Sequence, residues 1–154
     1  MSSVLQTYRR ITRWPAGHWL FSRMVCVRAP YFASISPQVR VLEPGRCEIE
    51  IRHRRKVTNH IGTVHAIALC NLAELAAGLA TDASLPDSMR WIPKGMTVEY
   101  LKKAVGTMRG IATPAAPVVA ADSGYNLPVD VVVNDPSGEA VFRAVVEMWL
   151  SPKR

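Results

Sequence analysis

Along the chain the apolar residues switch between two periods, and the switch outlines the fold. From Ala66 to Ala80 nearly every residue is apolar or small right round the helical wheel, which predicts one long helix enclosed by protein, with no solvent face. Ahead of it, Val39 and Val41 alternate with polar neighbours, Glu43-Pro44-Gly45-Arg46 reads as a turn, and Cys47, Ile49 and Ile51 alternate with Glu48, Glu50 and Arg52. That pattern predicts an antiparallel hairpin. Behind it, Pro86 and Asp87 make a loop, and strands are expected over 90–101, 105–113, 129–133 and 141–150. The segment from Pro114 to Pro128 reads as a long loop or bulged strand, Asn134-Asp135-Pro136-Ser137-Gly138 as a turn, and 151–154 as a polar tail.

The N-terminal part has a different character. Val4, Tyr8 and Ile11 recur at helical spacing, the pattern breaks at Trp14-Pro15-Ala16-Gly17, and a second apolar segment from Trp19 to Val27 stops at Pro30. This predicts a helical extension over 1–33, packed as a cap on a single domain over 34–151. One helix among antiparallel strands makes that domain α+β, its sheet wrapped around the helix.

Composition narrows the class. The chain has 154 residues, enough for one domain with a sizeable core. Three cysteines, Cys26, Cys47 and Cys70, are odd in number and lack C-x-x-C spacing, which argues against a disulfide framework and a zinc site. Arg9, Arg10 and Arg13 precede Trp19-Leu20-Phe21, but Arg23 interrupts the apolar patch and no small-residue cleavage site follows, so a signal peptide is not expected and the cytoplasm is. The apolar helix carries Asn71 and Glu74, which argues against a membrane span. A net charge of +7 favours an anionic partner: nucleic acid, a membrane surface or a phosphorylated small molecule.

Candidate chemistry gathers around the helix. Asn71 and Glu74 are its polar exceptions, three apart on one face, and Gly78 leaves room beside the carboxylate for something to come close. A carboxylate in such a helix needs a structural cation or a chemical task. Asn59 reads as a loop residue, and His65, just before the helix, as a loop-fixing donor or a direct participant. The first-turn N–H groups, that of Ala66 foremost, are natural oxyanion donors backed by the helix dipole. Arg52-His53-Arg54-Arg55-Lys56 is the densest basic run. It reads as a solvated strand end or a phosphate landing place; without interleaved aromatics, nucleic acid is not the expected partner. No H-E-x-x-H occurs, and His53, His60 and His65 lack a carboxylate at ligand spacing, so no metal is expected. Cys70 lies off the face of His65 and reads as a small hydrophobe.

Asn59, Gly62, His65 and Glu74, with Leu72-Ala73 before the acid and Met96-Thr97-Val98-Glu99-Tyr100-Leu101 beyond, resemble the hotdog-fold acyl-CoA thioesterases of the phenylacetyl-CoA type. That family has an Asn, a His-Gly pair six residues later and an acid nine residues beyond the His. The resemblance extends from about Ser36 to Leu150, with Ala66 where the family has glycine and Pro93 where some members have serine; the nearest likeness is to members of unassigned substrate. It implies a hotdog fold and hydrolysis of an acyl-CoA with Glu74 as base or nucleophile. Asn59 and His65 would orient the reactants, the Ala66 N–H would face the oxyanion, and Gly62 would lie against the substrate. Arg54, Arg55, Lys56, Lys102 and Lys103 become candidates for the phosphates of coenzyme A, itself part of the substrate, so that no separate cofactor is needed. It also implies a homodimer with two composite sites, and in some relatives a dimer of dimers. A noncatalytic acyl-CoA-binding hotdog protein is the alternative.

Overall fold

The alternation ahead of the helix folds as a hairpin of β1 (Gln38–Glu43) and β2 (Arg46–Ile51) in a computed structural model that describes residues 2–153. The apolar run forms α3 (Ala66–Ser84), followed by β3 (Met89–Tyr100), β4 (Met108–Pro114), β5 (Tyr125–Asn134) and β6 (Ala140–Pro152). These strands make one antiparallel sheet in the order β1-β2-β4-β5-β6-β3. Cys47, Ile49 and Ile51 on β2, Val129, Val131 and Val133 on β5 and Val146, Met148 and Leu150 on β6 are buried, as period-2 alternation requires of one sheet face. They form one core with Leu72, Ala73, Ala76, Ala77 and Ala80 of α3. A sheet wrapped on one long helix is the hotdog architecture. α3 is apolar and long enough to cross a bilayer, but it is the core helix of this sheet. Burial pushes the Cys47 thiol above its ordinary range, so it is an inert part of that core.

Two strand starts and the register of a third strand differ from the sequence pattern, each for a local reason. β5 begins at Tyr125 and runs through Pro128, since β4 ends opposite Val129 and Pro128 need only accept, through its carbonyl, from the Ala115 N–H (2.9 Å). β4 begins at Met108 because Gly106 ahead of it is held by His53. β3 carries a register shift between Pro93 and Gly95, a bulge that accommodates a proline on an edge strand.

The two edges of the sheet are treated differently. α1 (Ser3–Ile11) and α2 (Gly17–Arg28), followed by a 3-10 turn over Pro30–Ser34, cap the β1 edge. The Ser22 hydroxyl accepts from the Val39 N–H (2.9 Å), His18 Nδ1 bonds the Val39 carbonyl (3.1 Å), and the Tyr8 hydroxyl donates to the Arg40 carbonyl (2.9 Å), so side chains stand in for a missing strand. β3 at the other edge pairs only with β6 and exposes Ile92, Met96 and Tyr100.

On β2, the buried Glu48 carboxylate accepts from Arg46 Nε (2.8 Å) and from Arg109 Nε of β4 (2.8 Å). Burial alone would raise its pKa, but the two guanidiniums outweigh burial and hold it below the ordinary carboxylate value. A depressed folded-state pKa contributes stability that is complete above the unfolded value, about 4.3, and disappears as pH falls through the lower folded value. Glu48→Gln should therefore lower the melting temperature at neutral pH by on the order of 5 °C, from a loss of about 1–3 kcal/mol. The gap from wild type should close below about pH 4. Thermal unfolding of both proteins across pH checks this; a gap independent of pH would contradict it.

Candidate active site

The loop leading into α3 is built by Asn59. Its side-chain oxygen accepts from the N–H groups of Ile61 and Thr63 (both 3.1 Å), and its amide donates to the Thr63 hydroxyl (2.8 Å). Both ends of the side chain are thus spent on the loop, which makes Asn59 a positioning residue. Gly62 stands at φ +77° with open space where a Cβ would be, so the torsion and not crowding calls for glycine. His53 clamps the loop from below: Nε2 donates to the Gly62 carbonyl (3.0 Å) while Nδ1 accepts from the Gly106 N–H (2.9 Å). In the sequence His53 reads as a member of the basic run and as a histidine without a carboxylate at ligand spacing. Nothing in its spacing marked this bridge, because both its partners are backbone groups.

His65 emerges as the N-cap of α3. Its Nδ1 accepts from the Ile67 N–H (3.0 Å), which leaves the ring proton of a neutral imidazole on Nε2. The His65 side chain is exposed, and its own N–H donates to the Val57 carbonyl (2.8 Å). The Ala66 N–H follows at the first helical position, where no intrahelical acceptor exists. This end of α3 is an anion-stabilising corner with a second donor beside it.

Glu74 is on another part of the helix. Against the expectation of a fully enclosed α3, Glu74 and Ile67 are exposed, and among the described residues no cation pairs with the Glu74 carboxylate. The buried-ion-pair account of Glu74 therefore fails. The reason is topological: this side of α3 turns toward Trp91 and Pro93 of the open β3 edge, where no further strand covers it. Asn71 goes the other way, buried with its amide donating to Ser34 Oγ (3.0 Å) of the 3-10 turn.

The close approach expected at Gly78 is made by the Trp91 indole, which lies so near that an added Cβ would come within 2.9 Å of the ring. Trp91 Nε1 donates to Asp82 Oδ1 (3.3 Å). Between α3 and the N-terminal helices a cavity of about 350 Å³ opens beside Glu74, walled by Val25, Ala29, Phe32, Leu75, Leu79 and Trp91. A larger cavity, about 760 Å³, lies near the C-terminal end of α3, but among the described residues no carboxylate, histidine or cysteine lines it.

Arg54, Arg55 and Lys56 are exposed just after β2, but they do not converge on one point. Arg54 joins Arg23, Arg52 and Trp19 around a cavity of about 350 Å³, whereas Lys56 borders a smaller one, about 190 Å³, with His65 and Asn71. Arg23 and Trp19 come from α2, so their proximity to the basic run is invisible along the chain. Lys103 is exposed. Lys102 departs from its expected role as a phosphate ligand. It bonds Asp135 (3.0 Å) and Glu139 at the β5–β6 turn, and these carboxylates raise its pKa. The Ser137 hydroxyl and Lys102 in turn hold Asp135 down to about 2. Lys102 is a structural cation of that turn.

With this geometry in hand, residues 17–150, from α2 through nearly all of β6, match the family described as "Domain of unknown function (DUF4442)". The chain belongs to that family. A solved structure described only as genomics APC5556 is 49% identical over 97% of each chain, with a TM-score of 0.81. A Pseudomonas aeruginosa protein of unknown function, described as a probable thioesterase, is 22% identical over 91% of this chain and 97% of its own, with a TM-score of 0.75. A thioesterase from Haemophilus influenzae is 12% identical over 84% and 87%, with a TM-score of 0.73. At such identities the last two speak to the fold. A comparison with curated proteins gives no significant match. The DUF4442 match includes the Asn59 loop, both ends of α3, Trp91 and the walls that α2 gives to the cavity beside Glu74.

Proposed function

We propose that this chain hydrolyses acyl-CoA thioesters without a metal or redox cofactor, at composite sites of a homodimer. One observation carries the reading: α3 bears an exposed carboxylate and, well apart from it, an open N-terminus, which we take as two halves of a hydrolytic site. One half is the exposed Glu74 carboxylate beside an apolar cavity; the other is the helix N-terminus with the Ala66 N–H and His65. Their backbones are about 13 Å apart at 1.5 Å per residue, too far for one carbonyl to meet both within one chain. The open, apolar β3 edge supports a two-fold partner that unites them. Pairing of β3 with a second β3 runs the two α3 helices antiparallel, and Glu74 of the partner subunit then meets the His65–Ala66 corner. The thioesterase descriptions of the structural neighbours support the same reaction.

In this reaction Glu74 takes a proton from water as the water oxygen bonds to the thioester carbon, and the carbonyl electron pair moves onto oxygen. The Ala66 N–H and the α3 dipole stabilise that oxyanion. Alanine in place of glycine is no obstacle, because the donor is a backbone N–H. Collapse breaks the carbon–sulfur bond, and the proton on Glu74 passes to the departing thiolate, giving the free acid and coenzyme A. Asn59, Gly62 and His53 hold the corner in place. The phosphates of coenzyme A fall to Arg54 with Arg52 and Arg23, which line one cavity, and the exposed Arg55, Lys56 and Lys103 add positive charge to the surface.

Glu74→Gln should reduce turnover on acyl-CoA by about a hundredfold or more with the melting temperature retained, since general-base assistance alone is worth that much. Steady-state rates over a panel of acyl-CoAs with a thiol reagent measure this. A folded, fully active variant refutes the role of Glu74, and binding without turnover by the wild type favours the noncatalytic alternative. Arg52→Ala and Arg54→Ala should raise KM several-fold with kcat nearly unchanged, because contacts remote from the carbonyl hold ground and transition states alike. An acyl-pantetheine lacking the nucleotide should be indifferent to both; equal losses on the two substrates would refute the phosphate assignment.

A further inference from the structure

We infer that the cavity between α3 and the N-terminal helices holds the acyl chain, and that Trp91 is the wall that limits the substrate to an uncharged aliphatic acyl group of medium length. The inference rests on the proposed reaction for what happens at Glu74, but not for what fills the cavity.

Size is the first argument. At about 350 Å³ the cavity lies near the lower end of the roughly 300–1,000 Å³ usual for small-ligand sites. Chemistry is the second. The facing walls are apolar, Val25, Ala29 and Phe32 on one side and Leu75 and Leu79 on the other, and only three lining residues are charged. Glu74 stands where the thioester is cleaved. Asp82 is occupied by the Trp91 indole, and Arg28, exposed at the C-terminal end of α2, is at the rim. Nothing inside matches a polar or charged acyl terminus, whereas each methylene brought in from water improves affinity a few-fold.

The third argument is the rigidity of the wall. A chain running from Glu74 along α3 meets the indole at Gly78, one helical turn or about 6 Å on. The ring is packed against the helix, since an added Cβ at Gly78 would come within 2.9 Å of it, and Asp82 holds its Nε1 at 3.3 Å. An acyl chain entering beside Glu74 is therefore turned toward the opposite wall of Val25, Ala29 and Phe32. A short acyl group leaves apolar wall unburied; a long one exceeds the cavity's volume of about 350 Å³ and leaves its end outside apolar surroundings.

Acetyl-, octanoyl- and palmitoyl-CoA provide the test, with hydrolysis measured on the active protein and equilibrium binding on Glu74→Gln. Octanoyl-CoA should have the highest kcat/KM, by about tenfold or more over the other two. Trp91→Ala should move the optimum to palmitoyl-CoA, with a gain of about tenfold relative to octanoyl-CoA, and Trp91→Phe should fall between. Phe32→Trp narrows the cavity from the opposite wall and should lower the octanoyl-to-acetyl ratio, which keeps the test decisive if Trp91→Ala fails to fold. A chain-length profile indifferent to every folded variant overturns the inference while leaving hydrolysis standing. Octanoyl-CoA binding that responds to Trp91 and Phe32 in a protein that hydrolyses none of the three supports the cavity assignment and removes the hydrolytic reading.

Discussion

A helix that is apolar nearly all the way round cannot face water, and the rest of this molecule is arranged to satisfy α3. Its alanines let the sheet close on it from one side, and the N-terminal helices approach from the other. What remains uncovered is the strip holding Ile67 and Glu74, beside an edge strand whose own apolar side chains are exposed. The unburied part of the helix and the unpaired part of the sheet adjoin. A single protein surface that covered both would complete the burial α3 requires, and under the proposed dimer that surface is a second copy.

The contrast between the sheet's edges bears on the same point. At β1, His18 and Ser22 bond the Val39 backbone, and the N-terminal helices are spent on keeping that edge from pairing. At β3 no such covering exists among the described residues; a twelve-residue strand is left open, with a bulge at Pro93. Those same N-terminal helices form one wall of the cavity beside Glu74. Edge protection and the proposed acyl site are thus two consequences of one element, which ties the extension to function and not merely to stability.

Much of this was legible from residue order. The hairpin, α3 and the later strands follow from periodicity, because burial on one sheet face imposes alternation and burial on all sides of a helix removes it. Gly78 announced a close approach, although only the fold reveals that the visitor is Trp91. Asn59 is legible as a loop residue, whereas its partners in the loop, the N–H groups of Ile61 and Thr63 and the Thr63 hydroxyl, are set by the fold. Long-range contacts left no local trace. His53 reaches the backbone at Gly62 and Gly106, Lys102 is taken by carboxylates more than thirty residues on, and Arg23 of α2 lines one cavity with Arg52 and Arg54. The exposure of Glu74 was misjudged because a helical wheel cannot tell which side a sheet will leave open.

In the proposed dimer each site takes its carboxylate from one chain and its oxyanion corner from the other. Mixing two inactive proteins measures it directly. Asn59→Ala disorganises the loop before α3 and Glu74→Ala removes the carboxylate, so each homodimer should be nearly inactive. In a mixed dimer one site carries both lesions and the other neither. Random pairing makes about half the dimers mixed, each with one of two sites intact, so refolding the proteins together should restore about a quarter of wild-type activity. No recovery despite demonstrated subunit exchange would place both residues in one chain's site and contradict the account.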